Sequence, residues 1–197
     1  MEELRFILKY VSGLLSRTDE TWARLAEPDC KEGQADYMLR CYYWPMMGVG
    51  ALIIFLLHGN GVMLHSKLPF DAPFSLEYAM KGMVAFVLSY AAGPTLARLL
   101  LQQCFSSLTH IHFDKNQIEV FVHYCMSIVM LVELLCACLP YFTFLSFIGL
   151  YVIYIVYVGT DVYLKLQTAR NFFMTLAAAF IYFSPRIISG LLAIFEK

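Results

Sequence analysis

Charge is the scarcest ingredient of this 197-residue chain: Asp, Glu, Lys and Arg make up 15% of it, where ordinary soluble domains carry roughly 25%. Neither sign dominates. Fourteen Lys plus Arg stand against fifteen Asp plus Glu, a formal net charge of -1, so there is no basic field for nucleic acid. The low charge and high apolar content exclude a disordered chain, and the composition equally excludes a collagen-like fibre. Six cysteines (Cys30, Cys41, Cys104, Cys125, Cys136 and Cys138) show no spacing that reads as a disulfide frame. Most lie in or beside apolar stretches, where thiols are inert. Catalytic signatures are missing too: no His-Glu-x-x-His, no nucleophile elbow and no phosphate-binding loop. There is no internal repeat. A cleavable signal is also not expected, because Glu2, Glu3, Arg5 and Lys9 interrupt the place where its apolar core would lie.

What fills the chain instead is apolar surface. Hydrophobic residues make up 60% and aromatics 16% of it, with a mean hydropathy of +0.64. One soluble core of this size would leave many large apolar side chains in water, so the class is an integral membrane protein. A spanning helix needs about 20 mainly apolar residues, and five segments qualify: 41–58, 77–101, 118–139, 141–163 and 171–195. The expected fold is therefore all-α, a polytopic bundle of five transmembrane helices (41–197) preceded by a helical, amphipathic region (1–40). Turn chemistry at Gly59-Asn60-Gly61 and around Pro69 and Pro73 marks the first loop. The third and fourth spans meet at Pro140 with almost no connection.

In the first forty residues, Leu4, Ile7, Leu8, Val11 and Leu15 recur at helical spacing and form one stripe. The stripe suits a helix lying in the headgroup plane or against the bundle. A second short helix carries Asp19 and Glu20 at its positive end and Trp22, Leu25 and Ala26 on one side, and stops at Pro28. With the N-terminus cytoplasmic, that side collects Arg5, Lys9, Arg17, Arg24, Lys31, Arg40, Arg98, Lys115, Lys165 and Arg170. The far side keeps Lys67, Lys81 and Lys197, with Arg186 inside the fifth span. The asymmetry places the N-terminus inside.

Two stretches resemble a known family. Thr21-Trp22, within Ser16 to Leu25, resembles the short pre-membrane helix of prokaryotic Yip-domain proteins. Leu150-Tyr151-x-x-Tyr154-x-x-Tyr157-x-Gly159 is similar to that family's fourth span, and Arg170-Asn171-Phe172 to the opening of its fifth. The family takes its name from eukaryotic members that interact with Ypt/Rab GTPases. The resemblance implies a five-helix bundle with a cytoplasmic N-terminus in a bacterial inner membrane, with no catalytic residues and no cofactor. Its implied partners are membrane lipids and a protein recruited through the N-terminal region. Tyr37 to Pro45 lacks the acidic-Leu-x-Gly-Pro motif of the eukaryotic members, so GTPase binding is not among the implied properties.

Ionisable groups inside a bilayer are costly and are the natural candidates for function. Glu133 lies about 15 residues, roughly 22 Å, from the cytoplasmic end of its span. Arg186 and Lys81 fall in the same outer half, so the three read as an intramembrane charge cluster. That cluster serves either as an ion site or as a lock on helix register. Arg98 and Asp161 read as a second matched pair near the cytoplasmic interface, where snorkelling also accounts for them. His110, His112 and Asp114 are weak metal candidates, with Glu119 and His123 one helical turn apart beyond them; loop histidines without a full ligand set are the simpler reading. Pro94 and Pro185 should kink the second and fifth spans at different depths and free carbonyls one turn earlier. Ala85, Ser89 and Gly93 repeat every four residues as a close-contact face. The functional expectation is a non-enzymatic, Yip-like membrane organiser or partner-recruiting protein; the alternative is a small transporter or channel subunit built around Glu133 and Arg186.

Overall fold

The computed structural model describes residues 2–30, 33–60, 74–109, 114–139, 149–166 and 170–195, and every regular element among the described residues is helical. Helices α1 (Glu2–Ser16) and α2 (Thr18–Leu25) are followed by α3 (Ala35–Met38), a π-helical turn (Leu39–Tyr43) and α4 (Trp44–Gly59). The last three run together as one rod. Pro45 explains the π turn: a proline lacks an amide and collides with the carbonyl four residues back, and widening the turn before it relieves both problems. Tyr42 and Tyr43, both inside that turn, both point inward and are buried. Then come α5 (Leu76–Thr109), α6 (Lys115–Cys138), α7 (Tyr151–Val162) and α8 (Arg170–Phe195).

Among the described residues, four helices are long and apolar enough to cross a membrane: Ala35–Gly59, Leu76–Phe105, Lys115–Cys138 and Arg170–Leu192. They contain the expected first and second spans and overlap nearly all of the third and fifth. The expected fourth span is represented by α7, which has 12 residues, about 18 Å of helix against a hydrocarbon core of about 30 Å. Residues 140–148, where that span was expected to begin, lie outside the described residues. Four candidate spans is therefore the count that the described residues support.

The centre of the bundle is α6. Protein buries 78% of its apolar stretch, against 39% for the α3–α4 rod, 39% for α5 and 28% for α8. It packs against α3, α4, α5, α7 and α8. An all-round apolar helix is at home either in a protein core or in lipid, and α6 takes the core. Gly93 of the small-residue face lies against Pro185, to which an added Cβ would stand at 3.5 Å. The proline-bearing regions of α5 and α8 are thus side by side. The expectation of different depths is corrected by this contact, since residue counting from the ends of each span does not register how one helix is set against another.

The N-terminal helices are part of this packing. Tyr10 and Leu14 of α1 are buried and Val11 is half-buried, whereas Leu15 is 36% exposed. At 100° per residue the protein-facing side is centred nearer Tyr10 and Leu14 than the middle of the expected stripe, which leaves Leu15 on the outer flank. The side chains of Leu4, Ile7 and Leu8 lie outside the described residues. In α2, Trp22 is fully buried, with ring centroids at 5.5 Å from Phe121, 5.3 Å from Tyr163 and 6.2 Å from Tyr124. Burying so large a side chain contributes about 3 kcal/mol.

Candidate functional site

Two groups of residues could carry function: a polar line along α6 and the N-terminal dock beside it. The polar line is built from a consequence of proline chemistry. Pro94 has no amide, so the carbonyl of Tyr90 loses its helical partner. Tyr43, set inward by the π turn, donates its hydroxyl to that carbonyl at 2.7 Å. The Tyr90 hydroxyl in turn donates to the carboxylate of Glu133. Deeper along α6, Ser127 donates to the Tyr124 carbonyl at 2.7 Å, so the Tyr42 hydroxyl, 2.8 Å away, is the donor to Ser127. His123 donates Nδ1–H to the Glu119 carbonyl at 2.8 Å and meets the Tyr43 ring edge-on at 4.7 Å. Glu119 itself pairs with Arg98 at 2.7 Å, both side chains about four-fifths buried. Each polar side chain of this line has a definite partner, which is how polar groups persist between apolar helices.

The sequence candidates fall out differently from their expected grouping. Lys81 pairs with Glu77 one turn away on its own helix at 2.8 Å. Tyr90, which reaches Glu133, is nine residues further along α5, about 13 Å of rise, so Lys81 belongs to another level. Arg186 donates to the Tyr182 carbonyl at 2.7 Å and lies over the Tyr182 ring at 3.8 Å. The structure thus gives Lys81, Glu133 and Arg186 different hydrogen-bond partners, while Glu133 and Arg186 both lie close enough to the Tyr90 hydroxyl to act on it electrostatically. Arg98 and Asp161 are likewise not partners of one another: Arg98 takes Glu119, and Asp161 takes Arg170 at 3.0 Å. Asp114 is the exposed residue before α6, in extended backbone, without a side-chain capping bond. His110 and His112 lie outside the described residues. Among the described residues no group of three or more His, Cys, Asp and Glu could hold a metal ion.

The partners that matter most, Tyr42, Tyr43 and Tyr90, are not evident from charge or motif. One signal was available: the carbonyl freed by Pro94 is that of Tyr90, four residues back, and a freed carbonyl inside a membrane requires a donor.

The N-terminal dock gathers residues that are far apart in sequence. Gly159 faces the indole of Trp22; a Cβ there would come within 2.7 Å of Phe121 and 2.8 Å of Trp22. Tyr151 donates to the Leu15 carbonyl at 2.9 Å, satisfying one of the orphan carbonyls at the end of α1. Tyr157 carries the Arg170 guanidinium over its ring at 4.3 Å while Asp161 pairs with it. Beside the dock, the Asn116 side chain accepts from the Ala35 amide at 2.8 Å and donates to the Gly33 carbonyl at 3.3 Å. A polar hollow of about 260 Å³ opens there, lined among others by Glu27, Gln34, Asp114, Gln117, Tyr163 and Lys165. Its rim holds Lys165 at φ 50°, a left-handed residue three positions beyond the end of α7, followed by Leu166, whose amide donates to the Thr160 carbonyl at 3.2 Å.

No known protein family, curated protein or solved structure matches the chain, so the family resemblance rests on the residues quoted for it.

Proposed function

We propose that the chain is a five-span, Yip-like protein of the bacterial inner membrane, with its N-terminus cytoplasmic, and that it recruits a protein partner or organises membrane without catalysis. The observation that supports this reading is the N-terminal dock. Several of the residues that carry the resemblance make contacts between elements there: Gly159 lies against Trp22, Tyr151 donates to the Leu15 carbonyl, and Arg170 lies over Tyr157. Tyr151, Gly159 and Trp22 tie α1 and α2 to the bundle, and the polar hollow opens on the same side. A rigid platform with an open polar surface is suited to binding, and interface formation is favoured when little must be ordered on contact.

Photo-crosslinking from native membranes tests it. A partner captured through α2 by the intact protein, and lost in Trp22→Ala while the protein remains in the membrane, supports recruitment; unchanged capture after Trp22→Ala removes the platform from the account. Cysteine labelling at Ser16 from the cytoplasmic side and at Ser66 from the outside tests the orientation. Labelling of both from one side defeats it.

The polar line along α6 favours a second reading, a small transporter or channel subunit. Ion or proton flux in liposomes that disappears in Glu133→Gln would put that reading ahead.

A further inference from the structure

We propose that the cleft between α7 and α8 binds one anionic phospholipid, with an acyl chain in the cleft and the phosphate against Arg186. The cleft has a volume of about 440 Å³ and is lined by apolar side chains, including Val152 and Ile153 of α7 and Met174, Ala178, Ala179 and Tyr182 of α8. The flanking side chains of Ile153 and Phe183 are 44% and 54% exposed, so the cleft opens sideways. Since α8 is one of the four helices fit to cross a membrane, sideways is toward lipid tails.

Arg186 stands one turn beyond Tyr182. Its guanidinium is held over the Tyr182 ring at 3.8 Å and tied to the Tyr182 carbonyl at 2.7 Å. Because Tyr182 lines the cleft, those two contacts hold the cation at that wall, and they use only part of its hydrogen-bonding capacity. The side chain is exposed, and among the described residues no carboxylate pairs with it. It lies 16 residues beyond Arg170, about 24 Å along the helix, close to the far edge of a hydrocarbon core of about 30 Å. A cation at that depth needs a counter-charge, and the phosphate of a lipid supplies one with the fork geometry that guanidinium prefers. A cation at the wall of an apolar cleft is complementary to an amphiphile with an anionic head, which decides for a lipid over an apolar partner helix. The inference rests on α8 spanning the membrane and is independent of partner recruitment, so either can fail alone.

The test is lipid retention. The full chain is placed in nanodiscs of equimolar phosphatidylglycerol and phosphatidylcholine, and the lipid bound after detergent extraction is read by native mass spectrometry. The intact protein should retain phosphatidylglycerol over phosphatidylcholine by about tenfold, the factor one charge-assisted hydrogen bond supplies. Arg186→Gln should return the ratio to that of the bulk lipid, and Arg186→Lys should keep most of the preference. Arg186 is exposed, so these variants leave the packing intact, and their unfolding temperatures check it. Ala179→Phe, which fills the cleft, should lower retention of both lipids. A bulk ratio in the intact protein, or a preference that survives Arg186→Gln, overturns the site. Displacement by inorganic phosphate as effective as that by phosphatidylglycerol also overturns it, because the cleft would then contribute nothing. So does a second copy of the chain bound in place of lipid.

Discussion

Helices α6 and α8 have 24 and 26 residues and are both apolar enough to cross a membrane, yet protein buries 78% of one apolar stretch and 28% of the other. Their polar residues explain the difference better than their apolar ones. Glu133 and Ser127 of α6 receive hydrogen bonds from Tyr90 of α5 and Tyr42 of the π turn, and Glu119 receives Arg98. Each bond crosses to another element and fixes the rotation and register of α6 in the bundle. In α8, Arg170 at the start pairs with Asp161 of α7, but Arg186 in the C-terminal half turns back onto its own helix. A helix whose polar groups are met from several sides is enclosed; one that meets its own needs stays open to lipid.

The sharpest way to break this comparison is to unload each helix by one aromatic ring. Trp22→Ala empties the pocket against Phe121 of α6 and should cost about 3–5 kcal/mol in unfolding measured in detergent. Phe183→Ala on the open face of α8 should cost less than about 0.5 kcal/mol. Similar losses would mean that α6 is no more enclosed than α8.

Hydrogen bonds give the next largest effect. Tyr90→Phe strips Glu133 of its donor and should lower stability by about 1–3 kcal/mol. A change inside about 0.5 kcal/mol would show that Glu133 has an equivalent partner in water or lipid. The proline-freed carbonyl is a more specific target. Tyr43→Phe should cost about 1 kcal/mol in the natural background and less in Pro94→Ala, where residue 94 regains the amide that serves the Tyr90 carbonyl. Equal costs in both backgrounds would separate Tyr43 from Pro94.

A smaller effect lies outside both helices. Lys165→Gly should stabilise the chain by about 1 kcal/mol, because a left-handed backbone disfavours a residue with a Cβ. A loss instead would show that the Lys165 side chain has a use at the rim of the polar hollow. The smallest effect is the cycle of Glu133→Gln with Arg186→Met: the two groups make no direct ion pair but share Tyr90 as an electrostatic neighbour, so the coupling should stay below about 1 kcal/mol. Strong coupling would mean that α6 and α8 are linked by charge after all.

Much of the fold was legible because it follows from local arithmetic. Four of the five expected spans coincide with helices fit to cross a membrane, since about 20 apolar residues in a row have few alternatives. The burial of Trp22 was readable as a face of a short helix, and the turn signals at Asn60 and Pro28 fell at helix ends. The grouping of charges was not legible. Lys81, Glu133 and Arg186 share one half of the membrane in a residue count, but pairing depends on helix rotation and offset, to which a count of rise per residue is blind. Arg98 and Asp161 show the same thing: each has a better-placed partner, Glu119 on α6 and Arg170 at the start of α8.

The sequence alone determined that this is a helical membrane protein, because its apolar content cannot be hidden in one soluble core and its hydrophobic runs are long enough to span a bilayer. It also determined where carbonyls are set free, because Pro94 and Pro185 lack amides wherever they are placed. Only the tertiary structure decided which donor answers Pro94, which helix is enclosed and which carboxylate each arginine finds. Those choices depend on the rotation and offset of one helix against another. Such quantities are fixed by side chains packing across elements and by the cost of leaving a polar group unmet, and no single helix contains them.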